Sequence, residues 1–522
     1  MKYDVVIVGA GMAGLTAAAF LSKEGRKVAV IDRQAKTGGL VQTFFRNGIG
    51  YDTGLRSIEN SGIVIPMLRQ LGIEIEWLPS PVSLGVGNQV IRLSGPESFR
   101  DYEALLLSLF PDHQADVKRI TSAIRRIMKY MDVLYGIENP AFRNMKEDRE
   151  YLFKEILPWV FRYMFTVGKI NRLKLPVDEY LSTLTSHQPL IDMIAQHFFQ
   201  KTPASFALSY FHLYLDYRYP KGGTSALGEN LEAFIRNHGG EFMLSTTITE
   251  IDPIQKQVRD HLGNLIGYNQ LVWAGDMKAL YSLVPVEKLG ETSLANKIGE
   301  KRAELAPLRG CDSVLTVYMA VDLPVEWFEK ICTGHFFYTP EPSGLSCVSG
   351  DTETIEQIKG YLTSYCDLNT YEIAIPAMRD PSLAPPGKTG LVVSLLFDYQ
   401  LAKRIEESGW SEEIRNFLEE KFIEVLDRSI FPGLAGHVTE KFSSSPLTIE
   451  KLTGNTDGAI VGWAFTNPII PAESKTLQIT KSVLTPIPSV YQAGQWVFTP
   501  SGLPISILTG KLAADRVCRD AQ

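Results

Sequence analysis

The chain has 522 residues and a formal net charge of -7, with 45% hydrophobic and 21% charged residues. That length exceeds one ordinary core, so two or more domains are expected, with the composition of a soluble globular protein. The acidic balance argues against nucleic acid as a partner, and five cysteines without a CxxC pair (Cys311, Cys332, Cys347, Cys366, Cys518) point to reduced thiols and a cytoplasmic setting.

The first forty residues carry the strongest signal. Lys2-Tyr3-Asp4-Val5-Val6-Ile7-Val8 is a short apolar run, which predicts a buried strand. Gly9-Ala10-Gly11-Met12-Ala13-Gly14 follows, then a small-residue helix over Leu15 to Lys23. A second strand, Lys27 to Ile31, ends in Asp32. Strand, glycine turn, helix, strand and acid form the opening of a dinucleotide-binding fold. Gly9 permits the sharp turn, Gly11 lets the backbone approach a pyrophosphate, and Gly14 lets helix and strand pack closely. The helix N-terminus offers N–H groups to phosphates, and Asp32 can accept bonds from ribose hydroxyls. Asp4 and the glycines contradict a secretory signal peptide. No run approaches the length needed to span a bilayer.

A second glycine pair, Gly38-Gly39, follows the acid, and Gly50 to Arg56 reads as a short strand and turn. Val82 to Leu93 alternates like strands. Asp101 to Tyr130 reads as helix, with Pro111 a start or kink. Tyr151 to Tyr217 is mostly helical and unusually aromatic. Leu157, Val160, Phe161, Met164, Phe165 and Gly168 share one helical face, and Phe206, Tyr210, Tyr214 and Tyr217 form a second stripe. Such stripes suit either helix core or the wall of a tunnel for a long apolar molecule. Arg143, Lys146, Arg149, Lys154, Arg162, Lys169, Arg172 and Lys174 sit among these aromatics, partly offset by Glu147, Asp148, Glu150 and Glu155. A solvated helix face or contact with a membrane surface would each use that pattern.

Tyr219-Pro220-Lys221-Gly222-Gly223 breaks the helical pattern. An amphipathic helix follows from Ser225 to Asn237, closed by Gly239-Gly240. Short strands are expected over Glu241–Leu244, Thr246–Ile251, Lys256–Arg259 and Tyr268–Trp273. From Leu289 to Ser445 strands (Ser313–Val321, His335–Tyr338, Leu391–Leu396) alternate with helix (Ser411–Leu426). Gly387-Lys388-Thr389-Gly390 lacks the spacing of a phosphate loop. Val490-Tyr491-Gln492-Ala493-Gly494 is a strand ending in glycine, and Pro500-Ser501-Gly502-Leu503-Pro504 a turn. Ile505 to Arg519 is a helix with Gly510 as a close-packing point.

Four of these stretches, in this order, resemble the phytoene desaturase, carotenoid isomerase and retinol saturase group of FAD oxidoreductases. They are Gly9–Gly14 through Gly38-Gly39, Tyr51-Asp52-Thr53-Gly54, Tyr219 to Gly223, and Val490 to Gly494 with Pro500-Ser501-Gly502. The resemblance implies an α/β chain. A Rossmann-like FAD-binding domain would be discontinuous in sequence (1–80, 218–288 and 452–522), beside a second α+β substrate domain (81–217 and 289–451). It implies FAD contacts at Gly9, Gly11, Met12, Ala13, Gly14, Asp32, Arg33, Gly38, Gly39, Leu40, Thr53, Gly54, Leu55 and Arg56. Further along the chain it implies Ile248, Ala274, Gly275, Gly494, Gln495, Gly502, Leu503 and Pro504. A helix starting near Leu503 would aim its positive end at the flavin N1–C2=O edge. Many relatives carry Asp where this chain has Gln495, which puts that one contact in doubt.

No histidine cluster or HExxH pattern offers a metal site. Gly223-Thr224-Ser225-Ala226-Leu227 lacks the last glycine of a nucleophile elbow. The hard chemistry therefore falls to the flavin. The expected activity is hydride transfer between flavin N5 and a carbon–carbon bond of an apolar polyene, isoprenoid or related lipid. Desaturation, saturation and isomerisation all stay open. Arg56 is the first candidate beside the reacting ring, unless it contacts phosphate or pairs with an acid such as Glu59. Tyr219 and Lys221 are further catalytic candidates, and His212 suits a core role. The alternatives are a flavin amine oxidase and a flavin-free lipid carrier resembling the GDP dissociation inhibitors of prenylated GTPases. The substrate expected is an apolar small molecule, with peripheral membrane contact in addition.

Overall fold

The computed structural model describes residues 2–143, 148–170 and 172–521. Lys146 and Glu147, two of the charged residues noted around the aromatic stretch, lie outside the described residues.

Strand Lys2–Val8 sits in the middle of a seven-stranded sheet. It pairs in parallel with Val28–Ile31, which pairs in parallel with Glu241–Met243. On its other side it pairs in parallel with Leu265–Trp273, whose end pairs in parallel with Val490–Gln492. The parallel strands thus run third, second, first, fourth, fifth in chain order, the arrangement of a doubly wound sheet. Gln257–Asp260 and Ile248–Asp252 extend it as an antiparallel flap from the start of Leu265–Trp273. Burial on both faces explains the unbroken apolar run: Val5, Val6 and Ile7 are all fully buried.

Three helices cover one face of this sheet: Met12–Lys23, Ser225–Asn237 and Leu503–Asp520. Close approach is what the glycines provide. A Cβ at Gly14 would lie 1.9 Å from the Gly9 carbonyl oxygen, and one at Gly510 would lie 2.3 Å from that of Ala13.

A second seven-stranded sheet runs in the order Val438–Ser444, Ser313–Val321, Thr389–Phe397, Tyr371–Ala374, His335–Thr339, Val82–Val86, Gln89–Leu93. Only the His335–Thr339 and Val82–Val86 pair is parallel. Helices Ile355–Leu368 and Ser411–Ser429 pack on it. Two small sheets join the large ones. Tyr217–Pro220 lies between Ile58–Glu59 and Trp77–Pro79. Thr43–Arg46 and Ile49–Asp52 form a hairpin closed by Asn47-Gly48, both at positive φ. That two-residue Asn-Gly turn is a hairpin signal that the sequence reading, which began its strand at Gly50, overlooked.

Pro111 divides the expected long helix into Phe99–Leu109 and Gln114–Tyr135. The aromatic helix spans Leu157–Ile170, preceded by a π-helical turn over Leu152–Ile156. One expectation is corrected here. Leu157, Val160, Phe161, Met164 and Phe165 do share a face, but that face is neither core nor tunnel wall: it is exposed. The helix packs instead through Tyr163 and Thr166, and Trp159 donates its indole N–H to the Val133 carbonyl (2.5 Å). Periodicity fixes which residues share a face, not which face meets the protein. Among the described residues no helix is long and apolar enough to cross a membrane.

Gly510→Val should force the Leu503–Asp520 and Met12–Lys23 helices apart. We expect a loss of about 1–3 kcal/mol in urea unfolding of the flavin-loaded protein, together with weaker flavin retention.

Candidate active site

The two large sheets and the helices of residues 99–216 enclose one continuous cavity of about 1610 Å³. Ligand pockets commonly measure about 300–1,000 Å³, so this one has room for a dinucleotide and a second molecule together.

Its glycine-lined end is built from backbone. Gly9, at φ +108°, turns the chain off the first strand, and a Cβ there would sit 2.8 Å from the Ala274 carbonyl oxygen. Gly11 begins the Met12–Lys23 helix without a side-chain cap, so the first-turn N–H groups face the cavity unclaimed. The Asp32 carboxylate accepts from the backbone N–H of Ala10 (2.6 Å) and of Gln34 (2.8 Å). Burial pushes its carboxyl above the usual range while those two donors pull it down. Gly38 donates its N–H to the Ala10 carbonyl (2.8 Å), and Gly39 passes so close to Gly11 that a Cβ would lie 3.1 Å from the Gly11 Cα. Thr53 and Leu55 are held by N–H bonds to the carbonyls of Gln42 and Leu40. Opposite, Gly494 donates to Thr509 Oγ1 (3.0 Å), and residues Gly502 to Ser506 bring the uncapped start of the C-terminal helix to the cavity wall.

Of the residues expected to hold the cofactor, Gly9, Gly11, Met12, Ala13, Asp32, Arg33, Gly38, Gly39, Leu40, Thr53, Gly54, Leu55 and Arg56 line this cavity. So do Ile248, Ala274, Gly275, Gly494, Gln495, Gly502, Leu503 and Pro504. Gly14 does not; it serves the helix–strand contact instead.

The expected catalytic residues separate. Arg56 is 3% exposed and lines the cavity. It donates to the Asp52 carbonyl (2.7 Å) and to Ser394 Oγ (2.8 Å), and its buried Nε has no partner among the described residues. Tyr219 is fully buried off the cavity, where its hydroxyl donates to Asp52 Oδ2 (2.8 Å) beneath the Arg379 guanidinium. Lys221 is exposed and paired with Glu76 (2.9 Å). Neither Tyr219 nor Lys221 lines the cavity: one is a buried donor to Asp52, the other is exposed beside Glu76. His212 is half-buried, with Asp132 at 3.2 Å.

Sequence reasoning missed several groups in the middle of the cavity. Glu372 lines it and bonds His335 Nε2 (3.0 Å), whose Nδ1 bonds Ser57 Oγ (2.9 Å). Tyr217 stacks on the His335 ring at 5.5 Å. Burial pushes His335 below its ordinary value. It is also the largest single effect on Glu372, raising it, but the His335 hydrogen bond together with the charges of His335, Arg56 and His197 leaves that carboxyl below the usual range. Glu59 faces the cavity as well, and burial with the nearby Asp216 charge pushes its carboxyl up to about 7. The available signal was a polar residue inside each apolar strand: His335 before Phe336-Phe337, and Glu372 between Tyr371 and Ile373.

The far end is apolar and aromatic. Met131, Leu134, Trp159, Tyr163, Val167, Ile170, Phe206 and Tyr210 line it. The second aromatic stripe divides between the two roles considered for it: Phe206, Tyr210 and Tyr217 face the cavity, while Tyr214 is buried in the core beside it.

The model of the family described as flavin containing amine oxidoreductase matches residues 12–518. The chain belongs to this family. It is 22% identical to an all-trans-retinol 13,14-reductase of Macaca fascicularis, over all of this chain and 85% of the other. It is 21% identical to a chloroplastic prolycopene isomerase of Arabidopsis thaliana, over 99% of this chain and 83% of the other. An oxidoreductase structure from Methanosarcina mazei shares the fold, with a TM-score of 0.63 at 17% identity, covering 99% of this chain and all of that one. The cofactor of this flavin oxidoreductase is FAD, and the cavity fits it. The glycine end leaves the space that side chains would fill, and Ser501 Oγ and Trp496 Nε1, buried in residues that line the same cavity, lack a partner among the described residues. Among the described residues no group of three or more His, Cys, Asp or Glu could hold a metal.

Two outcomes follow from this geometry. The folded protein keeps a proton on Glu59 that the unfolded chain releases, so raising pH from about 4.5 to about 7 costs stability through this group. Unfolding free energies of wild type minus Glu59→Gln should therefore fall across that window and be flat outside it; a pH-independent difference would contradict the assignment. Tyr219→Phe should cost about 1–3 kcal/mol in urea unfolding while flavin content per folded molecule stays at one.

Proposed function

We propose that this FAD-dependent oxidoreductase acts on a carbon–carbon double bond of an elongated apolar polyene or isoprenoid, as a saturase or isomerase, with the phytoene desaturase direction as the reverse of the same step. The observation that carries the proposal is the single cavity, polar and glycine-lined at one end, aromatic and apolar at the other. The names of the relatives, a retinol reductase and a prolycopene isomerase, support it. The amine oxidase and flavin-free carrier readings are not favoured.

FAD, when bound, supplies two-electron chemistry by exchanging hydride at its N5. The residues Gly9, Gly11, Asp32, Gly38, Gly39, Gly494 and Gly502 would hold it. Arg56, kept rigid by the Asp52 carbonyl and Ser394, sets a fixed positive charge on the wall between the two ends. Such a charge would stabilise electron density on a reduced ring or orient a polar substrate end. Reducing a double bond also needs one proton, and Glu59 holds one at a carboxyl facing the cavity near neutral pH. Trp159, Tyr163, Phe206 and Tyr210 exclude water and cradle a long apolar chain.

Photoreduced, flavin-loaded protein incubated without oxygen with retinol, prolycopene and phytoene should yield a product two hydrogens heavier or a double-bond isomer from at least one of them. No mass shift and no isomer, with turnover of primary amines instead, would overturn the proposal.

A further inference from the structure

The outward face of the Leu157–Ile170 helix is the largest unexplained feature of the surface. Phe165 is 75% exposed, Met164 66% and Phe161 61%, and Phe153 in the turn before them is 64% exposed. Scattered exposed apolar residues are ordinary, but four large ones within thirteen residues are a patch.

Its charge surroundings identify the partner. From Ile156 to Leu175 the sequence has four cations, Arg162, Lys169, Arg172 and Lys174, and no acid, in a chain whose net charge is -7. All four are exposed. Arg162 lies between the apolar Phe161 and Met164, and the other three follow at the helix C-terminal end. A second protein surface would be expected to answer such a patch with apolar contacts and matching acids of its own. An interface of anionic headgroups over hydrocarbon answers both features at once, because aromatic side chains reach the acyl boundary while lysine and arginine stay among the phosphates.

The other face of the same helix points inward. Trp159, Tyr163, Val167 and Ile170 line the cavity, and its lining continues to the exposed Lys174 and Lys201, where Pro176 and Pro203 bridge two segments. The helix is thus a partition one helix thick between the outer patch and the apolar chamber.

We infer that the Phe153, Phe161, Met164 and Phe165 face, with Arg162, Lys169 and Arg172, docks this protein on an anionic phospholipid bilayer. The further step, that an apolar substrate passes from that bilayer past Lys174 into the chamber, rests on the proposed function; the docking does not.

The flavin-loaded full chain is sedimented with phosphatidylcholine vesicles containing phosphatidylglycerol, and with phosphatidylcholine alone, at low and high salt. Wild type should sediment with the anionic vesicles, less so at high salt. Phe161→Ser with Phe165→Ser should weaken this roughly tenfold or more with the flavin spectrum unchanged. Arg162→Glu with Arg172→Glu should abolish the preference for anionic lipid, a second test that does not depend on the aromatic variant folding. Wild type remaining in the supernatant, or both variants sedimenting as wild type does, would overturn the inference. So would a concentration-dependent dimer lost in the same variants without any vesicle binding. Adding retinol in vesicles or in detergent separates the two claims. Slower perturbation of the flavin spectrum in the aromatic variant with vesicles alone supports entry from the bilayer. No perturbation by either route would count against the polyene reading while sedimentation still decides docking.

Discussion

The Asp52 carboxylate is fully buried at the junction where the Thr43–Arg46 and Ile49–Asp52 hairpin meets Tyr219 and the start of the Ser225–Asn237 helix. Its Oδ2 accepts from the Tyr219 hydroxyl, and its Oδ1 from Thr43 Oγ1 (2.6 Å), Thr224 Oγ1 (3.0 Å) and the Thr224 N–H (3.2 Å). Its carbonyl takes the Arg56 guanidinium, and Arg379 stands 3.8 Å away. A buried carboxylate is tolerable only when so surrounded. Meeting that demand brings the turn at residues 52–56 against the start of the Ser225–Asn237 helix and fixes Arg56 on the cavity wall. Two sequence motifs some 165 residues apart are thereby one structural unit. Lys221, in the same motif as Tyr219, has no part in it.

From that junction the cavity grades in polarity. At one end backbone N–H groups, two helix N-termini and Asp32 suit a charged, hydroxylated cofactor. At the other, Met131, Leu134, Trp159, Val167, Ile170 and Phe206 make the wall predominantly apolar. Between them stand the ionisable groups Arg56, Glu59 and Glu372, the last tied through His335 to Ser57. Burial makes the protonation of Glu59 and Glu372 depend on their neighbours rather than on bulk solvent, which is what a site that moves hydride and proton together requires.

The cofactor end was legible in the sequence because local backbone geometry dictates residue type there. The φ of +108° and the Ala274 carbonyl demand glycine at position 9, the positive φ of Gly39 and its approach to Gly11 favour glycine there, and an acid ending the second strand has few other uses. The middle of the cavity was not legible. Glu59, His335, Glu372 and Ser394 come from segments far apart in the chain and meet only through sheet pairing, which a single sequence does not display. That Tyr219 and Lys221 lie off the cavity was not legible either, because a motif shared with a family does not say whether its side chains face the site or support it. The aromatic helix shows the same limit, since its amphipathic period was evident but its orientation depended on the Gln114–Tyr135 helix it packs against.

The central claim is that cofactor and apolar ligand occupy one chamber on either side of Arg56. Anaerobic titration of the oxidised, flavin-loaded protein with a long polyene, followed by the flavin absorbance band, tests it most directly. A saturable shift of that band, stoichiometric with flavin and weakened by Arg56→Met, is the predicted result. An unaltered flavin spectrum at polyene concentrations that saturate binding elsewhere on the protein would contradict it.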